Sequence, residues 1–84
     1  MTTREKLEHM LFEKGMFVQQ ASKVMDAAIP IIDAISDEFK ISWDSDCEDY
    51  SEEMYEFLWS IVKKEALVWI DNNVPKVWFR ENFI

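Results

Sequence analysis

Residues 51–73 read SEEMYEFLWSIVKKEALVWIDNN, and the spacing of their apolar side chains decides what kind of domain the chain builds. Tyr55, Leu58, Trp59, Val62, Ala66, Trp69 and Ile70 recur at three- and four-residue steps, which is the period of an α-helix. Ser51 stands where a side-chain oxygen caps free helix amides, and Glu52 and Glu53 occupy the first turn, where the helix dipole favours anions. Met54, Phe57, Ile61 and Val68 widen the apolar face and leave a narrow polar stripe of Glu53, Glu56, Ser60, Lys63, Lys64 and Asp71. A helix apolar around most of its circumference is central to its domain or shared between subunits. The stretch therefore suits both a bundle core and a homodimer through helix three. Asn72, Asn73 and Pro75 close it.

Two further helices are readable upstream. Thr2 followed by Glu5 makes a capping box, in which two side chains satisfy helix amides reciprocally. Leu7, Met10, Leu11 and Lys14 keep helical spacing, and Gly15 falls where a helix ends in the left-handed conformation. Helix one is expected over about 3–14. Ala21, Val24, Met25, Ala28, Ile32, Ile35 and Phe39 form the stripe of helix two, expected over 17–38. Pro30 lies inside it, unable to donate to the carbonyl of Asp26, so a kink is expected there.

Residues 40–50 read as a loop with a short extended piece at Ile41–Trp43. The tail, 76–84, carries Val77, Trp78, Phe79 and Phe83, an aggregation hazard unless it docks. The expected architecture is all-α: a single domain over 1–84, a small three-helix bundle with a kinked second helix and a docked aromatic C-terminal tail. The alternative is α+β, with a two-stranded ribbon from 40–43 and 77–80.

With 84 residues, such a domain buries only roughly 60–65% of its unfolded surface. Its stability has to come from dense packing by four Trp, six Phe, two Tyr and five Met. The lone Cys47 excludes an intrachain disulfide and fits a reducing compartment. No secretory start segment is expected, and the longest apolar runs, at 27–32 and 66–70, are far short of the ~20 residues that span a bilayer. A cytoplasmic protein is expected.

The charge is concentrated in one stretch. Residues 33–56 hold ten acids against Lys40, whereas the remainder holds seven acids and eight bases. Such a field repels anionic lipid and nucleic-acid phosphate, so neither membrane nor direct nucleic-acid binding is expected. Asp49, Glu52 and Glu53 have a structural reason, the dipole of helix three. Asp33, Asp37 and Glu38 do not: they crowd the negative end of helix two, each at a cost of about 0.2–1 kcal/mol. Local rules broken without compensation are where function is often found.

Other candidate chemistry fails on spacing or surroundings. His9 lies one helical turn from Glu5 and from Glu13, but one imidazole and two exposed carboxylates make a weak, unselective metal site. Cys47 sits among Asp44, Asp46, Glu48 and Asp49, which oppose a thiolate. Asp44, Asp46 and Glu48 alternate as at the start of a calcium loop, yet Asp49 replaces the required Gly and Tyr55 the bidentate Glu. Lys76, Trp78, Phe79 and Arg80 could stack bases, but two cations are few, and their pairing with the acidic block is favoured. No catalytic residue, metal set or cofactor site is expected.

Two resemblances accompany this reading. Gly15-Met16, Ala21 and Val24-Met25 resemble the first helix junction of ubiquitin-associated domains, although Lys14 stands where that family has an apolar residue. Residues 13–17, together with residues 66–73, Pro75, Trp78, Phe79 and Arg80, resemble short acidic helical proteins of phage and prophage genomes. That second resemblance implies an origin and no site residue.

The function expected is that of a non-enzymatic interaction protein. Its acidic face, comprising Asp33, Asp37, Glu38, Asp44, Asp46 and Glu48, would bind a basic surface of a partner protein. One alternative is a nucleic-acid mimic that blocks a DNA- or RNA-binding protein, which needs carboxylates spaced like phosphates. The other is a carboxylate-only hydrolase using Asp44 or Glu48, which needs a deep pocket flanked by paired acids.

Overall fold

Three helices account for most of the chain in the computed structural model, which describes residues 1–35, 41–45, 50–73 and 83. They are α1 (Thr3–Glu13), α2 (Val18–Ile35) and α3 (Glu52–Asn73). No strand occurs among the described residues, and the protein is all-α. Of the alternative ribbon, residues 40 and 77–80 lie outside the described residues.

Both ends of α1 follow from its sequence. The Glu5 amide donates to Thr2 Oγ1 and the Thr2 amide to Glu5 Oε1, each at 3.1 Å, completing the capping box. At the other end Gly15 has φ 109°, a conformation that a side chain would oppose. That turn lets the Met16 amide reach the Leu11 carbonyl at 3.2 Å and the Gly15 amide reach the Phe12 carbonyl at 3.0 Å. The paired bonds satisfy two of the last carbonyls of the helix and fold Met16 back into the core, where Leu11 is also buried.

The second helix starts on Phe17, whose amide donates to Gln20 Oε1 at 3.0 Å and whose carbonyl accepts from the Ala21 amide at 2.9 Å. It runs as one helix through Pro30. The expected extension over residues 36–38, with Asp37 and Glu38, lies outside the described residues. Ala21, Val24, Met25, Ala28 and Ile32 are buried as their spacing requires. Ile35 departs from the pattern: it continues the stripe in phase but is 58% exposed.

α3 begins where Ser51 Oγ accepts from the Met54 amide at 3.2 Å. It ends at Asn73, whose side-chain amide donates to the Trp69 carbonyl at 2.9 Å. Tyr55, Leu58, Val62, Ala66 and Ile70 are its buried line, with Trp59 and Trp69 half-buried beside them. α2 is the shared partner of the bundle, packed along both α3 and α1. Leu7 and Leu11 of α1, Met25 and Ile32 of α2, and Leu58 and Ile70 of α3 are completely buried in one core. Phe83 joins them, fully buried, with its ring 6.3 Å from that of Trp59. The tail is therefore docked at Phe83. Val77, Trp78 and Phe79 lie outside the described residues.

Candidate functional site

Two of the six acidic residues singled out from the sequence, Asp33 and Asp44, are described. Asp33 is on the last turns of α2, and Asp44 is in the turn that follows Ile41 and Ser42. Asp37, Glu38, Asp46 and Glu48 lie outside the described residues, as does Cys47.

Trp43 joins the two described acids. Its indole N–H donates to Asp33 Oδ1 at 3.1 Å, which holds the Asp44 turn against the end of α2. This amends the reading of Asp33 as a residue without structural purpose. An anion near a helix C-terminus is disfavoured by the dipole, but here the carboxylate anchors a loop through an N–H donor that otherwise has few partners. The sequence held no sign of this, because an indole donor ten positions away follows no periodic rule. Asp44 is exposed and makes no hydrogen bond or ion pair with another described residue.

The same turn closes the N-terminus of α1. The first four amides of a helix lack intrahelical acceptors, and here all of the early ones are used. The Thr3 amide donates to the Ser45 carbonyl at 3.3 Å and the Arg4 amide to the Trp43 carbonyl at 3.2 Å. The Glu5 amide goes to Thr2 Oγ1. Thr3 Oγ1, fully buried, donates to the Ser42 carbonyl at 2.9 Å. Loop carbonyls thus occupy the positive end of α1, where the helix dipole favours the negative end of a carbonyl. Backbone acceptors leave no signature in side-chain spacing, so this docking was not legible beforehand.

Arg4 and the start of α3 fix the rest of the platform. Arg4 Nη2 lies 2.8 Å from Asp26 Oδ1, 3.2 Å from Ser22 Oγ and 3.3 Å from the Ser22 carbonyl. Its Nε is 3.6 Å from Glu8 Oε2. Burial works against the Arg4 charge, but the hydrogen bond to Asp26 and the charges of Glu8 and Asp26 outweigh it and hold the pKa above its usual value. Ser42 donates its amide to Tyr50 Oη at 3.0 Å, and the Tyr50 and Tyr55 rings meet edge to face at 6.0 Å. Lys6 Nζ sits 3.9 Å from the centre of the Tyr55 ring. Arg4 and Lys6 are thus engaged by Asp26, Glu8 and Tyr55, and among the described residues no ion pair gives Asp33 or Asp44 a counter-charge.

His9 packs against Phe12 with ring centres 5.4 Å apart. Among the described residues no three of His, Cys, Asp and Glu gather where they could hold a metal ion. Among the same residues no helix is long and apolar enough to cross a membrane. Comparison of the chain with protein-family models, curated proteins and solved structures finds no match.

Proposed function

We propose that this is a non-enzymatic interaction protein whose acidic face binds a basic surface of a partner protein. The observation that carries the reading is the exposed carboxylate of Asp44, unpaired among the described residues, on a turn held to two helices by Trp43 on Asp33 and by the carbonyls of Trp43 and Ser45 on α1. A charge that the described residues leave unneutralised, on a backbone held from two sides, is available to a partner at a small ordering cost. Asp37, Glu38, Asp46 and Glu48, adjacent in sequence to these anchors, belong to the same proposed surface. Contacts of this kind act mainly on association rate and salt dependence.

The reading is tested by titrating a panel of basic proteins against the wild type and against Asp44→Lys at two ionic strengths. Asp44→Lys should fold normally, bind the cognate basic protein more slowly and show a shallower salt dependence. Asp33→Asn keeps an acceptor for Trp43 while removing the charge, so it separates loss of field from loss of the anchor. Binding by Asp44→Lys with wild-type rate and salt slope across the panel would sink the proposal.

A further inference from the structure

Asp26 and Asp33 stand on one side of α2, about 10 Å apart along its axis at the helical rise, with Pro30 between them. Each is bonded to a different part of the molecule. Asp26 Oδ1 lies 2.8 Å from Arg4 Nη2 on α1, and Asp33 Oδ1 accepts from the Trp43 indole at 3.1 Å. Arg4 and Trp43 are in turn bonded to each other, the Arg4 amide donating to the Trp43 carbonyl at 3.2 Å. Three bonds thus close a ring. It leaves α2 at Asp26, passes through the start of α1 and the turn of residues 42–45, and returns to α2 at Asp33.

The ring spans the stretch of α2 that its own backbone supports least. Pro30 has no N–H for the Asp26 carbonyl and its side chain crowds the preceding turn, so helices bend at such a residue. Yet α2 runs as one helix from Val18 to Ile35. We propose that Arg4 and Trp43 together form a splint across Pro30, which fixes the last turns of α2 against the rest of that helix. In a closed ring each bond is supported by the other two, and once one is broken a second break releases little more. The splint also sets the direction of the turn that carries Asp33. Its value to a partner rests on the acidic-face reading, whereas the splint itself does not.

The test is amide hydrogen exchange in the free protein. Arg4 reports the middle bond of the ring, Ile32 the helix just past Pro30, and Leu58 of α3 the overall stability. Asp26→Ala, Asp33→Ala and Trp43→Phe should each quicken exchange at Arg4 and Ile32 about two- to fivefold beyond any change at Leu58. Trp43→Phe keeps an aromatic ring and loses only the indole donor. Combining Asp26→Ala with Asp33→Ala should fall well short of the product of the two single effects. In a Pro30→Ala background, where the missing donor is restored, the three variants should leave Ile32 within about twofold. Exchange at Ile32 that merely follows Leu58 overturns the splint, and so does a double variant that reaches the full product. Undiminished sensitivity of Ile32 in the Pro30→Ala background overturns it as well. No partner enters these measurements, so their failure leaves the acidic-face reading standing, and a failed partner titration leaves the splint.

Discussion

Arg4 on α1 reaches across to Asp26 on α2, at 2.8 Å, and the same guanidinium nitrogen also touches both oxygens of Ser22. One side chain thus ties the first helix to the second through a carboxylate, a hydroxyl and a backbone carbonyl. The carbonyl of Asp26 lacks the donor that Pro30 would otherwise supply, so this stretch of α2 is where an outside clamp is most useful.

Arg4→Met keeps much of the side chain's apolar stem and removes the clamp. Asp26 is well exposed, so the ion pair alone is worth little, and the combined loss should be about 1 kcal/mol. For a domain of this size that lowers the melting temperature by roughly 4–8 °C. Arg4→Lys should recover only part of it, because one ammonium cannot hold Asp26 and Ser22 and also face Glu8, as Nη2 and Nε do together. Thermal denaturation of the three proteins decides this; equal melting temperatures for wild type and Arg4→Met would show that the clamp adds nothing.

Phe83→Ala should be severely destabilising. The side chain is fully buried against Trp59, and emptying such a site costs about 3–5 kcal/mol. Against a total of about 5–10 kcal/mol for a small domain, this leaves a barely folded chain. Urea titration should show a large fall in midpoint, smaller for Phe83→Leu. A wild-type midpoint for Phe83→Ala would mean that the tail contributes no packing.

Gly15→Ala should destabilise the protein by about 1–2 kcal/mol. A φ of 109° is accessible to glycine and strained for alanine, and the two carbonyl caps on Leu11 and Phe12 depend on it. Equilibrium denaturation measures the loss, and amide exchange at Met16 should quicken with it.

The capping box gives the N-terminus a pH dependence. Hydrogen bonds from the Thr2 backbone and side chain hold the Glu5 pKa below its usual value. A carboxylate with a lowered folded pKa stabilises above its unfolded pKa and loses that contribution as pH falls through the folded one. Wild type should therefore exceed Glu5→Ala in stability at neutral pH by more than it does in acid. A difference between the two that stays constant from pH 7 to pH 2 would contradict this linkage. Thr2→Ala should cost about 1 kcal/mol at neutral pH.

Legibility in the sequence followed the range of the interaction. The capping box, Gly15, the Ser51 cap and the buried lines of α2 and α3 were all readable because each depends on residues within a turn or two. Phe83 could be read as docked, since an aromatic tail must be buried somewhere. The hydrogen bond of Trp43 to Asp33, the reach of Arg4 to Asp26 and the docking of loop carbonyls on α1 were not readable, because they join segments distant in sequence and the last of them uses backbone acceptors. Ile35 misled in the opposite way: it holds the right phase, but it is exposed at the end of α2, so periodicity alone overstated the core.

The closure of α1 by residues 42–45 has a consequence for the order in which the molecule forms. Thr3 and its acceptor at Ser42 are 39 residues apart, so the first helix made is also the one whose start stays open longest. During synthesis, at ~5–20 residues per second, α1 can coil and lean on α2 for seconds before its leading amides find acceptors. A nascent chain arrested before residue 41 should thus leave the Thr3 and Arg4 amides without their acceptors beside an already formed capping box, until residues 43–45 are free to swing back. The front of this protein is finished by its middle.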